Sequence, residues 1–127
     1  MSLDHAAGAD LLEAYANAWK AFDGDAWVAL FSEDVEYHED PFEPPLVGHN
    51  AVRAYLLEAA EAQDQVEVTI ERHWVVGPTV IAIWHASYVA TGSRARVRLA
   101  GSMTLEVDGQ GRITRLREWW HRREAGA

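Results

Sequence analysis

The sequence of 127 residues contains no cysteine, which excludes disulfide bonds and thiolate chemistry without fixing a compartment. It also has no apolar run near the roughly 18 residues that a membrane-spanning helix needs. The N-terminus lacks a basic segment followed by an apolar block, which is not the pattern of a signal peptide. We therefore expect a soluble, cytoplasmic protein with no membrane partner.

Basic residues are scarce, and nearly all of them lie in the second half. Residues 1–67 carry 15 acidic and 2 basic residues, whereas residues 68–127 carry 5 acidic residues and 9 arginines. The net charge of −9 argues against general nucleic-acid binding, which depends on neutralising phosphates. The basic half could instead meet acids within the fold, meet acids across a dimer, or bind an anion.

Only four prolines are present, and three of them fall in one loop at Pro41, Pro44 and Pro45. Because Asp40 precedes a proline, its backbone is predicted to be extended. A carboxylate held at a stiff junction between strand and loop is a candidate general base. The alternative is that the Asp-Pro pair simply starts a turn.

The first half reads as helical around this loop. Residues 9–22 place apolar side chains at three- and four-residue spacing, which predicts a helix with one apolar face. A short second helix through Phe31 and a first strand over 35–40 should follow. Asn50 is a suitable N-cap for a third helix, whose apolar stripe includes Leu56.

The second half predicts four strands over 66–76, 79–90, 94–107 and 112–122, joined by turns. The turn at 108–111 (Asp-Gly-Gln-Gly) is a strong hairpin signal. We predict one domain over 1–127, with a core at about 9–122. Its class is α+β: three N-terminal helices packed on a strongly curved, mostly antiparallel sheet, forming a cone with an internal pocket.

Several local motifs carry a resemblance to a known family. They are 28–31 (Val-Ala-Leu-Phe), 39–41 (Glu-Asp-Pro), 43–44 (Glu-Pro), Gly48 with 51–53 (Ala-Val-Arg), and 108–111. Over about residues 9–122 the pattern resembles the nuclear-transport-factor-2-like superfamily, in its ketosteroid-isomerase-like and polyketide-cyclase (SnoaL-like) branches. This fold hosts enzymes, binding proteins and dimerisation modules.

The resemblance implies roles for particular residues. The general base of ketosteroid isomerases matches Asp40, and their tyrosine oxyanion donor matches Tyr15. Their second donor, a protonated aspartate, aligns with Met103, which cannot donate a hydrogen bond. One extra residue between Phe31 and Asp40 is either a bulge or a change in the face on which Asp40 lies.

Two further residues are candidates for the site. The resemblance places Leu116, Glu118 and Trp120 on the concave face of the last strand, where Glu118 would be a second pocket carboxylate. The opposite strand parity would leave Glu118 in solvent. His38 could shuttle protons beside Asp40 or could be a structural histidine.

The remaining expectations concern the ligand and the assembly. No metal-ligand spacing is recognisable, so we expect neither a metal nor a cofactor. Tryptophans on the outer sheet face would need cover, and a homodimer through the sheet is the default in the family. The residues expected to line the pocket are Trp19, Leu56, Leu99, Met103, Leu105, Leu116 and Trp120.

These features predict a pocket for a small apolar ligand, and carbonyl compounds are among the candidates. As an enzyme, the chain would be a cofactor-free isomerase or cyclase with Asp40 as base and Tyr15 stabilising the oxyanion, assisted by Glu118 or His38. A non-catalytic ligand-binding or dimerisation module is the alternative, and it predicts a filled cone or an Asp40 turned to solvent. A second alternative is an epoxide-hydrolase-like enzyme.

Overall fold

The computed structural model describes residues 3–125, over which the chain forms three helices and six strands. The helices are α1 (His5–Ala21), α2 (Gly24–Val28) and α3 (His49–Ala62). The strands are β1 (Phe31–His38), β2 (Leu46–Val47), β3 (Gln63–Val76), β4 (Thr79–Ala90), β5 (Arg96–Val107) and β6 (Ile113–Glu124).

Short acidic side chains set the start of the first two helices. Asp4 Oδ1 accepts the backbone N–H of Ala7 at 2.8 Å, and Asp23 Oδ1 accepts that of Ala26 at 3.1 Å. Each bond satisfies a donor that a helix N-terminus leaves without an intrahelical partner. α1 ends at Phe22, which adopts the left-handed conformation with φ 49°.

The six strands form one open sheet in the order β2–β1–β6–β5–β4–β3. Strands β3 to β6 pair as consecutive antiparallel hairpins, while β1 runs parallel to β6 and antiparallel to β2. The sheet is therefore mixed, but most of its pairings are antiparallel. The predicted α+β class with three helices on such a sheet is confirmed.

The helices cover the inner face of the sheet and enclose the core. α1 packs along β3, α3 contacts β1, β2 and β3, and α2 bridges α1 and α3. Burying each large apolar side chain here stabilises the fold by about 1.5–3 kcal/mol. The largest fully buried side chains include Leu12, Trp27, Phe31, Tyr37, Leu56, Met103, Leu105, Ile113 and Leu116.

Several predicted boundaries differ from the structure. α2 ends at Val28 instead of continuing through Phe31, which begins β1. α3 begins at His49, so Asn50 lies in its first turn; Gly48 holds the N-cap position with φ 87° and no side-chain cap bond. β6 continues through Glu124, beyond the predicted end of the last strand at residue 122. Residues 126–127 lie outside the described residues.

Within residues 3–125, no helix is both long and apolar enough to cross a membrane.

Candidate functional site

A cavity of about 290 Å³ opens between the helices and the inner face of the sheet. Its walls are mainly aromatic and aliphatic, with a few polar groups. Such a concave, mostly apolar space with few polar groups is typical of small-molecule sites. The lining residues are Tyr15, Trp19, Trp27, Tyr37, Glu39, Tyr55, Leu56, Glu58, Ala59, Ala62, Gln63, Trp84, Tyr88, Leu99, Glu118, Trp120 and Arg122.

Glu118 lies in this cavity and is only 5 % exposed. Its neighbour across the hairpin is Met103 of β5. Tyr37 donates to Glu118 Oε2 at 3.2 Å from β1, and Tyr55 donates to Oε1 at 3.3 Å from α3. Each carboxylate oxygen therefore has one tyrosine hydroxyl as a donor.

Tyr15 extends this cluster from α1. The hydroxyl oxygens of Tyr15 and Tyr37 lie 3.2 Å apart. Because Tyr37 uses its proton on Glu118, Tyr15 donates to Tyr37 when Glu118 is ionised. A chain of hydrogen bonds then runs from Tyr15 through Tyr37 to the carboxylate.

Burial raises the pKa of the Glu118 carboxyl to about 8, because desolvation disfavours its charge. The nearby charge of Glu39 also raises this pKa, whereas the hydrogen bonds from Tyr37 and Tyr55 lower it. Burial and the charge of Glu118 raise the pKa of Tyr15, Tyr37 and Tyr55 well above the ordinary range, so the three hydroxyls stay protonated. Glu118 is therefore the group of this cluster that can exchange a proton near neutral pH.

The mouth of the cavity is charged. Glu39 and Glu58 line it and are both exposed. Arg122 is the one basic residue in the lining, and its Nη2 donates to Glu124 Oε1 at 2.8 Å. Carboxylates therefore dominate the charge around the opening.

A protein-family profile covers most of the chain. The profile of the SnoaL-like domain matches residues 12–116. The chain belongs to the SnoaL-like domain family. The motifs that suggested this branch of the superfamily lie within or at the edges of the matched region, so the predicted relationship is confirmed.

Solved structures share the fold of this SnoaL-like chain. The Δ5-3-ketosteroid isomerase from a Mycobacterium species is 18% identical, with a TM-score of 0.79 over 94% of this chain and 98% of that one. An epoxide hydrolase from Mycobacterium tuberculosis, of the type called LEH-like, is 24% identical, with a TM-score of 0.76 over 91% and 84%. SalBIII, an epoxide hydrolase/cyclase-like enzyme of pyran ring formation in salinomycin, is 20% identical, with a TM-score of 0.82 over 93% of both chains. A search of curated proteins found no significant match.

Asp40 lies elsewhere than the ketosteroid-isomerase resemblance implied. It is exposed, and its Oδ1 accepts the backbone N–H of Phe42 at 2.9 Å. Its carbonyl oxygen accepts the N–H of Glu43 at 3.2 Å, which closes a turn. Asp40 is absent from the cavity lining of this SnoaL-like chain, so the structure does not place it where a general base of the ketosteroid-isomerase kind would act.

The alternation of side chains along β1 explains why Asp40 lies outside the cavity. The pairing of β1 with β6 shifts register between Phe31 and Glu36, which marks a bulge or another irregularity. Near the end of β1, Val35 and Tyr37 are buried, and Glu39, just after the strand, lines the cavity. Side chains alternate along a strand, so the face that holds Val35 and Tyr37 next reaches Glu39 and leaves Asp40 outside the cavity.

His38 lies on the outer side of β1. It is half-buried, and its Nε2 lies 3.2 Å from Glu36 Oε1. Because Asp40 is held in its own turn, the structure shows no contact that would let His38 assist it. The observed contact corresponds to the structural role that the sequence left open for this histidine.

The sequence left open which set of alternating side chains on the last strand faces inward, and the structure distinguishes the two possibilities. Leu116 and Glu118 are buried and Trp120 lines the cavity, whereas Arg117 and Trp119 are exposed. Glu118 therefore faces inward, as the resemblance implied.

Four of the seven predicted pocket residues line the cavity: Trp19, Leu56, Leu99 and Trp120. Met103, Leu105 and Leu116 instead belong to the packed core, at most 1% exposed, and are outside the lining. The predicted pocket thus extended too far along the inner face, into the part that the aromatic side chains of α2 and β1 fill.

Sequence reasoning missed Tyr37, Glu39 and Glu58 as cavity residues and did not give Tyr55 a polar role. A signal for Tyr37 and Glu39 existed in the alternation of β1, because apolar Val35 and Tyr37 share one face that next reaches Glu39. No local signal ties Tyr55 to Glu118, which lies 63 positions later. Within residues 3–125 no group of three or more His, Asp or Glu side chains is arranged to hold a metal ion.

Proposed function

We propose that this SnoaL-like chain is a cofactor-free proton-transfer enzyme that isomerises or cyclises a small, largely apolar carbonyl compound. Glu118, rather than Asp40, is the general base. The observation that carries the proposal is a buried carboxyl held by two tyrosine hydroxyls in a cavity, with a pKa of about 8. A base for carbon acids is most effective when its pKa lies near the working pH.

The proposed reaction moves one proton between two carbons of the same substrate molecule. Ionised Glu118 takes a proton from a carbon next to the carbonyl group, and the C–H electron pair becomes the double bond of an enolate. The same carboxyl then returns the proton to another carbon of the substrate. Tyr15 can move its hydrogen bond from Tyr37 to the enolate oxygen, which it stabilises as a neutral donor.

The experiment is an ultraviolet assay of a panel of β,γ-unsaturated and other enolisable ketones, run on wild type and on two variants. Glu118→Gln should lower kcat/KM by about 10²–10⁴-fold, the usual contribution of a general base. Asp40→Asn should leave kcat/KM unchanged because Asp40 is exposed and outside the lining. If Asp40→Asn instead abolishes turnover and Glu118→Gln does not, the base is Asp40 and our assignment is wrong.

The pH profile gives a second readout of the same proposal. If ionised Glu118 is the base, kcat/KM should rise about tenfold per pH unit below pH 8 and level off above it. A profile that is flat from pH 6 to 9 would exclude Glu118 as the proton acceptor.

A second candidate function is opening of an epoxide, favoured by the same raised pKa. Below pH 8 the carboxyl of Glu118 is mostly protonated and could donate its proton to the epoxide oxygen. A water molecule would add to the carbon whose C–O bond breaks, and the proton that it loses would restore the carboxyl, so the product is a diol. The rate should then fall as the pH rises through 8, the opposite slope to that of the isomerase. The related folds of an epoxide hydrolase and of SalBIII support testing this reaction.

A binding-only module is the third outcome of these assays. It accounts for the exposed position of Asp40, but the open cavity argues against the filled cone that this alternative predicted. Ligand binding without turnover of any ketone or epoxide would favour it.

We also propose that two copies pair through the outer face of the sheet. Trp119 is 45% exposed there, in register with Ser102 and Ile83 on the neighbouring strands. Trp119→Glu should shift a dimer to monomer in sedimentation velocity. Phe42→Glu is the matched control, because Phe42 is 93% exposed but lies in the loop after β1. A monomeric wild type, or dissociation by the Phe42 variant alone, would contradict this interface.

A further inference from the structure

We propose that the ligand of this cavity carries a positive charge, as a protonated amine or a quaternary ammonium group, which the mouth holds beside Glu39 and Glu58 while the apolar remainder extends toward Glu118. The inference rests on the proposed function of the same cavity and specifies its substrate class.

The first observation is the aromatic content of the wall. Eight of the lining residues are aromatic: Tyr15, Trp19, Trp27, Tyr37, Tyr55, Trp84, Tyr88 and Trp120. Several pack edge-on or tilted, as between Trp19 and Trp84, whose ring centroids lie 6.1 Å apart. Aromatic walls attract organic cations through the negative faces of the rings, and they also accommodate apolar groups.

The second observation is the charge at the mouth. Glu58 lies three residues after Tyr55 on α3, one helical turn further along the same face. Glu39 lies two residues after Tyr37, just past the end of β1. The two tyrosines that hold Glu118 are thus each followed, within three residues, by an exposed carboxylate that also lines the cavity.

The third observation disfavours an anionic ligand. An anion would approach Glu39 and Glu58, and the one arginine of the lining, Arg122, is already bonded to Glu124 at 2.8 Å. The net charge of −9 also makes the long-range field of the chain attractive to cations. A neutral ligand would bind the aromatic wall but would gain no charge–charge attraction from the two carboxylates.

The field of Glu39 reaches the buried end of the cavity, since it contributes to the raised pKa of both Glu118 and Tyr55. A cation held beside Glu39 would therefore interact with the whole site, and its charge would favour the ionised form of Glu118. The carboxylates at the mouth and the carboxyl of Glu118 at the buried end would then act on the same ligand.

The test compares two probes of the same shape that differ only in charge, phenyltrimethylammonium and tert-butylbenzene. Binding is measured at low ionic strength by tryptophan fluorescence, since four tryptophans line the cavity. We expect the cation to bind at least tenfold more tightly than the neutral probe. The double variant Glu39→Gln, Glu58→Gln should remove most of that preference without weakening the neutral probe.

Glu61→Gln is the matched control, because Glu61 is an exposed acid of α3 outside the lining and its loss should not change the preference. Tighter or equal binding of tert-butylbenzene overturns the cationic class but leaves the proton-transfer proposal standing. Binding of neither probe overturns the cationic class as well, and turnover of neutral ketones in the separate assay then decides whether the proposed function survives. A cation preference that Glu61→Gln lowers as much as the double variant does would show only general attraction to an acidic protein, and would also overturn the assignment to the mouth.

Discussion

At the scale of single residues, opposing influences on one carboxyl determine what the site can do. Burial and the charge of Glu39 favour protonated Glu118, whereas hydrogen bonds from Tyr37 and Tyr55 favour the ionised form. Without the tyrosines the carboxyl would be a buried acid with no donor, and without burial it would be an ordinary surface carboxylate. The balance leaves a pKa near neutrality, which suits a group that takes and returns a proton.

This balance predicts how the pKa of Glu118 should move in three variants. Tyr37→Phe and Tyr55→Phe each remove a donor, so each should raise the pKa, and Tyr37→Phe should raise it more because its bond has the larger effect. Glu39→Gln removes a repelling charge and should lower it. Carboxyl-carbon NMR titration, with Glu118→Gln to assign the signal, measures all three.

Shifts of the Glu118 pKa in the opposite directions would show that the cluster is not arranged as described. An identical pKa in all variants would show that Glu118 is insensitive to these neighbours. Asp40→Asn is the control for this series, since Asp40 is exposed and bonds only within its own turn.

The residues of this site were only partly predictable from the sequence. Glu118 and Tyr15 were identified, because both match positions that face the cavity. Asp40 was predicted because it precedes Pro41 and matches the Glu-Asp-Pro motif of ketosteroid isomerases, whereas the alternation of Val35 and Tyr37 indicates Glu39. The register shift between β1 and β6 depends on the pairing of two distant strands and has no local signature in the sequence.

At the scale of elements, β5 and β6 approach each other closely at one glycine. Gly101 pairs with Trp120. A Cβ added at Gly101 would collide with the carbonyl oxygen of Trp119 and would lie 2.8 Å from the Cβ of Trp120. A glycine inside a strand often marks such a close backbone approach. Trp120 itself lines the cavity.

Gly101→Ala should therefore destabilise the fold by about 1–3 kcal/mol, the typical cost of an overpacked site. Urea unfolding followed by tryptophan fluorescence gives the free energy of unfolding. Gly109→Ala is the matched control, since an added Cβ there meets no atom within 4 Å. Equal stability of the two variants would mean that the strands separate without strain at Gly101, and the glycine would then have no part in shaping the cavity.

At the scale of the whole molecule, the parts predicted well are those specified over short distances. The four strands of the second half follow one another as hairpins, so alternation and turn residues define them locally. The site joins α1, β1, α3 and β6, and its bond between Tyr37 and Glu118 spans 81 positions. Side-chain contacts at that separation follow from the assembled fold, and a periodic pattern in the sequence does not encode them.

The raised pKa of Glu118 also links the site to global stability, and the sign follows from proton binding. In the unfolded chain the carboxyl ionises near pH 4.5, and in the folded chain it does so near pH 8. Between these values the folded state holds one more proton, so the contribution of Glu118 is fully present below pH 4.5 and is lost as the pH rises through 8. Each pH unit in that window lowers the free energy of unfolding by about 1.4 kcal/mol from this group, several kcal/mol in all.

The side chain at position 118 of the Glu118→Gln variant cannot ionise. The variant should therefore not lose stability in this way as the pH rises. Urea unfolding of wild type and variant from pH 5 to pH 9 should show the variant gaining relative stability as the pH rises, whatever their difference at pH 5. The comparison of slopes cancels the titration of the many surface acids, which both proteins share. Parallel curves would mean that Glu118 is already ionised in the folded protein, and its role as a base tuned near neutrality would then be untenable.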